Sequence, residues 1–225
     1  MIKNIILIFL FISANAQEKI CITYKMERII PESGSNTETE EIRQTNKYLE
    51  NLKFELIFTK ELSVFKQINK LTNEEVFKRT DYVPNDDVVY IRNNKKYTEK
   101  GEFVAKKNSF LIEEEFPVWQ LHNEFKIINN LECYKATSKY TTNGKNSFDI
   151  IAWYCPNLPY SYGPDGIGGL PGVILFLQNG FEVYSATKIV KNCPEEIYFP
   201  DKIKILSYEE YAALIEKLEE EMFED

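Results

Sequence analysis

The chain has 225 residues, 44% hydrophobic and 28% charged, the balance of one globular domain with a real core. A single histidine excludes chemistry built on histidine clusters, such as multi-His zinc sites, binuclear centres and bis-histidine haem. A net charge of -8 disfavours nonspecific nucleic-acid binding, and fourteen Tyr, fifteen Phe and two Trp favour strands over a helical bundle.

Residues 1–16, MIKNIILIFLFISANA, read as a cleaved secretory signal: Lys3, an apolar run from Ile5 to Ile12, then Ala14-Asn15-Ala16. The apolar run is too short to span a bilayer, which takes about 20 residues. No later stretch is long or apolar enough to do so. The expected location is exported: periplasm, outer-membrane periphery or secreted. Without the signal the net charge is -9, of which Ser207 to Asp225, with eight acids and one base, holds -7.

In chain order, Cys21–Met26 reads as a first strand and the polar stretch from Pro31 to Thr45 as a loop. Phe54–Thr59 and Ser63–Ile68 read as strands paired across Lys60-Glu61, and Leu71 to Asn85 has no clean period. Val88–Arg92 is a strand ending at an Asn93-Asn94 turn, and Phe103 to Ile112 holds at least one more. Glu124–Ile128 follows, then a hairpin from Cys133 to Cys155 turning at Asn143-Gly144. Val173–Leu177, Phe181–Val190 and Ile197–Phe199 complete the strands, with Asn179-Gly180 as another turn. Ser207 and Glu210 form a capping box, and Tyr208, Tyr211, Leu214, Ile215, Leu218 and Met222 recur at helical spacing. The expected fold is mainly β within an α+β class: a curved antiparallel sheet, or a partly open barrel or bowl, with one C-terminal amphipathic helix. The expected organisation is a β domain over 17–206 and an acidic helix over 207–225 packed on it. A partner-binding role for that helix is the alternative.

Four cysteines in an exported chain point to disulfides, and no spacing resembles a CxxC motif. Folding the Asn143-Gly144 hairpin places Cys133 opposite residue 154 or 155, so a Cys133–Cys155 bridge is natural. Cys21 and Cys193 are then left to pair across more than 170 residues. The alternative is that some thiols stay free and buried.

The segment from Cys155 to Leu177 holds five of nine glycines and four of nine prolines. Glycine permits close backbone approach and proline fixes φ, so this is a defined irregular connection. A dinucleotide-loop reading fails, because no strand-loop-helix unit surrounds it and Pro171 stands where a third glycine belongs. A structural crossover and a ligand or partner contact both remain. The contact candidates are Tyr160, Tyr162, Gly163, Asp165, Gly169, Pro171 and Gly172.

Gly169-Leu-Pro-Gly-Val-Ile174 resembles the Gly-Leu-Pro-Gly-Leu-Ile signature of the GLPGLI family of exported Bacteroidota proteins. Trp119, Lys126-Ile127-Ile128, Glu132 to Thr137, Ala152-Trp153-Tyr154, Pro159 and Gly163-Pro164 fall in that family's order, and the resemblance covers roughly Tyr48 to Ile205. Cys155 stands where the family carries Thr or Ser. The resemblance implies a periplasmic or surface protein, often encoded near TonB-dependent receptors, with no established activity to carry over. The chain is also similar, more distantly, to the bowl-like N-terminal domain of a flavobacterial peptide:N-glycosidase, which implies an accessory module.

Catalytic signals are sparse. No Gly-x-Ser-x-Gly elbow or His-Glu-x-x-His occurs, and His122 is the only imidazole. Glu113, Glu114, Glu115 and Asp149 could supply a carboxylate pair, although an acidic run beside a strand is more often a solvated edge. Asp81, Asp86, Asp87 and Asp165 lack calcium-loop spacing. No metal or cofactor site is expected. Trp119, Trp153, Tyr160 and Tyr162 suit sugars or peptides if exposed, Tyr160 and Tyr162 more so for lying among loop residues. The expected function is a noncatalytic envelope protein binding an outer-membrane protein partner or its cargo. A glycan- or peptide-binding module and a hydrolase with an unrecognised carboxylate site are the alternatives.

Overall fold

The computed structural model describes residues 18–29, 40–68, 87–100, 109–142 and 146–223. The segment read as a signal, the Leu71–Asn85 stretch and the turn expected at Asn143-Gly144 lie outside them. The first half of the chain gives β1 (Ile20–Arg28), α1 (Glu40–Leu49), β2 (Phe54–Phe58), β3 (Leu62–Gln67), β4 (Val88–Arg92), β5 (Lys95–Lys100) and β6 (Phe110–Glu114). The second gives β7 (Gln120–Ile128), β8 (Leu131–Thr142), β9 (Asn146–Cys155), β10 (Val173–Asn179), β11 (Glu182–Lys191), β12 (Lys204–Ser207) and α2 (Tyr208–Phe223).

All twelve strands join one sheet in the order β12-β6-β5-β4-β3-β2-β1-β11-β10-β9-β8-β7. Every neighbouring pair is antiparallel except β12 with β6. Two meanders, β2–β6 and β7–β11, are therefore sewn together by β1. The sheet is open and strongly curved. Strands β6 and β7 stand second and twelfth in the order, about 48 Å apart if the sheet were flat at ~4.8 Å per strand. Only residues 115–119 connect them, a reach of about 20 Å. The sheet must curl until its ends approach.

Strict alternation in β1 sends Ile20, Ile22, Tyr24 and Met26 into the bowl. There they meet Phe54 and Phe65, stacked 5.8 Å apart, and Tyr184, edge-on to both. Tyr24 Oη donates to the Ile174 carbonyl at 2.7 Å, both residues being fully buried. Tyr24→Phe, which leaves that acceptor short of its donor, is expected to cost about 1–2 kcal/mol. The check is a lower urea midpoint at unchanged m-value.

The convex face carries a second layer. Residues 193–203 run across it as a strap, with Phe199 edge-on to Tyr90 and Tyr97 and beneath the Arg92 guanidinium at 4.1 Å. The Cys21–Cys193 disulfide ties the start of the strap to β1.

Several sequence expectations are corrected. Part of the stretch read as loop, residues 40–45, is the first half of α1. Asn46 on this helix clamps the Arg28 backbone, accepting from its N–H at 2.7 Å and donating to its carbonyl at 2.9 Å. Ile197–Phe199 is not a strand, because it lies on the convex surface without a ladder partner; its apolar residues serve the strap. Strands β5 and β12 had no sequence reading. The capping box forms: Ser207 N–H donates to Glu210 at 2.8 Å, and Glu210 N–H donates to Ser207 Oγ at 3.1 Å. Helix α2 rests on β12 and β6, with Tyr208 exposed and Leu214 and Ile215 half-buried. No helix among the described residues is long and apolar enough to cross a membrane.

Candidate functional site

The glycine- and proline-rich segment after β9 folds into the bowl. Ile174 N–H donates to Tyr162 O at 2.9 Å, Val173 N–H to Leu158 O at 3.0 Å, and Trp119 Nε1–H to Gly168 O at 2.8 Å. A single 3₁₀ turn, Pro164–Gly166, rests on β3, β4 and β5. Asp165 adopts φ 54, in the left-handed region that non-glycine residues enter only when the surroundings hold them there.

Beside this turn lies a cleft of about 360 Å³. Lys96 and Glu114 come from β5 and β6, Lys139 and Ile150 from β8 and β9, and Asn179 from β10, with Phe116, Asp165 and Ile167 closing it. Strands at opposite ends of the sheet order line one hollow because the sheet curls. Lys96 pairs with Glu114 at 3.1 Å, and Thr98 Oγ1 donates to Glu114 at 2.9 Å. Asn179 Nδ2 reaches Asp165 at 3.5 Å. Burial pushes the Asp165 carboxyl up to about 6; Lys96 opposes the shift and Glu182 adds to it.

That shift sets a sign. The folded state holds the Asp165 proton more tightly than the unfolded chain does, so ionising it opposes folding. The penalty is absent below about pH 4, grows to about pH 6 and is complete above. Asp165→Asn, which keeps the shape and tolerates left-handed φ, is therefore expected to stabilise the protein by about 1–3 kcal/mol at pH 7. At pH 4 it should gain nothing. Urea unfolding at both pH values checks this, and a loss at pH 7 would mean that Lys96 dominates.

The other sequence candidates are dispersed. Tyr160 and Tyr162 stack on each other at 6.3 Å and both tilt onto Phe58, and Tyr162 Oη donates to Lys60 O at 3.1 Å. Tyr162 is buried and Tyr160 half-buried, so the expected exposure of this pair is corrected: the rings pack because the loop turns inward. Gly163 and Gly172 are buried, while Gly169 and Pro171 are exposed. Of the seven loop candidates, Asp165 alone lines the cleft.

Of the acidic run, Glu114 and the exposed Glu115 both line the cleft, while Glu113 pairs with Lys95 on the other face of the sheet. Asp149 is exposed, 3.9 Å from Lys139. His122 shares a 2.7 Å hydrogen bond with Thr137 Oγ1. Both tryptophans pack against the core, Trp153 under the Lys126 ammonium at 4.3 Å. Lys96 and Asn179 were missed, since no local signal joins residues 83 apart before the sheet is folded.

Cys21 and Cys193 are bridged, and Cys133 and Cys155 are buried thiols in this structure. Among the described residues Cys21, Cys193 and Glu195 have metal-ligand spacing, but the disulfide occupies both sulfurs.

Strand β7 is the last of the sheet among the described residues. Leu121, Phe125 and Ile127 stand opposite Ala136, Tyr134 and Glu132 and are 54%, 62% and 62% exposed. Ring contacts of 6.3 Å each connect Phe125 to Tyr134 and Tyr134 to buried Tyr154. An apolar row thus runs from the core onto the last described strand.

Residues 139–176 match a family model described as "Protein of unknown function (Porph_ging)". No curated protein matches the chain. Two solved structures, of PNGF-II in the C2 and P21 space groups, share the fold with a TM-score of 0.56 each, at 18% and 19% identity. The matches cover 89% and 90% of this chain but 33% and 34% of those chains, so this chain spans about a third of their length.

Proposed function

We propose that this is a noncatalytic envelope protein of the GLPGLI type, with a β domain over 17–206, that binds an outer-membrane protein partner or its cargo along β7. The carrying observation is the exposed row of Leu121, Phe125 and Ile127 on a strand that has one edge unpaired among the described residues. Such an edge offers free backbone donors and acceptors beside an apolar face, the combination that strand addition uses. A disulfide and the lack of a membrane-crossing helix among the described residues are consistent with export.

The test is crosslinking of the purified protein in native cell-envelope extract, followed by repetition with Phe125→Lys. One stoichiometric partner is expected for the parent and at least a tenfold loss for the variant. The variant's stability should stay within about 0.5 kcal/mol, because Phe125 is a surface residue. Equal recovery with both proteins would sink the reading.

The cleft favours a second reading, a glycan- or peptide-binding accessory module. Donors from Lys96 and Asn179, acceptors from Asp165 and Glu114, and a Phe116 wall suit a small polar ligand. The PNGF-II structures support it in one respect, since the matched fold there is a third of a longer chain. Chemical-shift changes confined to Lys96, Glu114 and Asn179 on adding oligosaccharides or peptides would separate this reading from the first.

A further inference from the structure

Cys133 and Cys155 are the fully buried pair of reactive groups that the proposed function leaves unused. The β8–β9 register places Tyr134 opposite Tyr154, so the next pair along the ladder is Cys133 with Cys155. One row across the sheet reads Lys126, Cys133, Cys155, Val173. The Cys133 thiol donates to the Leu131 carbonyl at 3.6 Å. Lys126 arches over this face with its ammonium 4.3 Å from the Trp153 ring and 4.1 Å from the Phe176 ring.

We propose that Cys133 and Cys155 are a modification site, oxidised to a cross-strand disulfide while the β8–β9 hairpin is still open to solvent, and that the closed sheet then preserves whichever redox state it formed around. The geometry supplies the first half: directly opposed cysteines in one antiparallel pair bring their sulfurs together without moving the backbone far. The compartment that joins Cys21 to Cys193 supplies the oxidant, a low-molecular-weight or enzyme-borne disulfide. One thiolate attacks that disulfide and expels a thiol. The second thiolate then attacks the mixed disulfide and expels the other. The pair loses two protons and two electrons, and the oxidant leaves as two thiols.

The second half follows from burial. Neither cysteine meets solvent, so an external disulfide has no line of attack. Burial also pushes the Cys133 thiol up to about 12, with Cys155 adding to the shift. The attacking thiolate is correspondingly scarce at pH 7. The same shielding protects the bond once made. A crosslink here fixes the β8–β9 register one strand away from β7.

The experiment refolds the purified chain from urea in a glutathione redox buffer, then alkylates in urea without reductant and maps the peptides. Linked 133–155 and 21–193 peptides are expected, with the native far-UV spectrum. Alkylated Cys133 and Cys155 beside an intact 21–193 link would overturn the site, as would 133–193 or 21–155 links. A second arm takes Cys21→Ser/Cys193→Ser folded under reductant and exposes it, still folded, to oxidised glutathione at pH 7. Both thiols should survive for hours and bridge on addition of urea. Bridging within minutes in the folded protein would overturn the trapping. Should that variant not fold, parent protein refolded under reductant gives the same readout at Cys133 and Cys155.

Discussion

Gly172→Ala is expected to remove about 3–5 kcal/mol of folding stability. A methyl group there would sit 2.3 Å from the Cys155 carbonyl oxygen, 2.5 Å from its carbon and 2.8 Å from Pro156 nitrogen. All three are backbone atoms at the point where β9 turns into the loop and where β10 begins. A flexible side chain could swing aside; this backbone would have to move, and Val173, paired with Cys155, would move with it. Gly180→Ala is the control. Its Cβ would have ordinary room, 3.7 Å from Phe148, but at φ +59 it pays a left-handed penalty of about 1 kcal/mol. Urea titration of both variants checks the order. Equal losses would mean that backbone conformation, not the close approach at Gly172, sets the need for glycine.

This locates the meaning of the glycine-rich segment. The loop's glycines serve a close crossover, and its one polar side chain in the cleft, Asp165, is the one expected to cost stability at neutral pH. Proteins retain such costs where a site needs them. The apolar β7 edge is the other feature that stability alone does not explain.

Legibility in the sequence follows the range of the interaction. The β2–β3 hairpin, the Asn93-Asn94 turn and the Ser207–Glu210 box rest on neighbours within a few residues, and β1, though its partners are distant, carries its own alternation; all are readable. β5 was not, because Lys96 and Thr98 face a polar cleft and blur the alternation that marks a strand. Ile197–Phe199 misled for the reverse reason: its apolar residues cover the convex face without belonging to the sheet. α1 hid because its packing face, Thr45 and Leu49 with half-buried Tyr48, is short amid polar residues. Asp165 stood out by its loop, but its partners Lys96 and Asn179 arrive from β5 and β10 only when twelve strands curl.

Removing the Cys21–Cys193 bridge, by Cys21→Ala with Cys193→Ala, is expected to cost up to about 5 kcal/mol on the chain-entropy account. The bridge closes a separation of 172 residues and so restricts nearly the whole unfolded chain. In the folded state it sits in a small apolar cluster with Ile57, flanked by Val190 and Ile197, and anchors the strap that covers the convex face. Two contributions are therefore lost together. The entropic part acts on the unfolded chain and should appear wherever the protein is unfolded. The local part should loosen the strap, exposing Phe199 and freeing Arg92 from Asp201, its partner at 2.7 Å. Urea unfolding of parent and variant gives the total, and hydrogen exchange at residues 193–203 isolates the strap. A large loss of stability with unchanged exchange there would assign the effect to the unfolded state. Fast exchange confined to the strap, with little loss of global stability, would overturn the entropic account and make the bridge a local clasp.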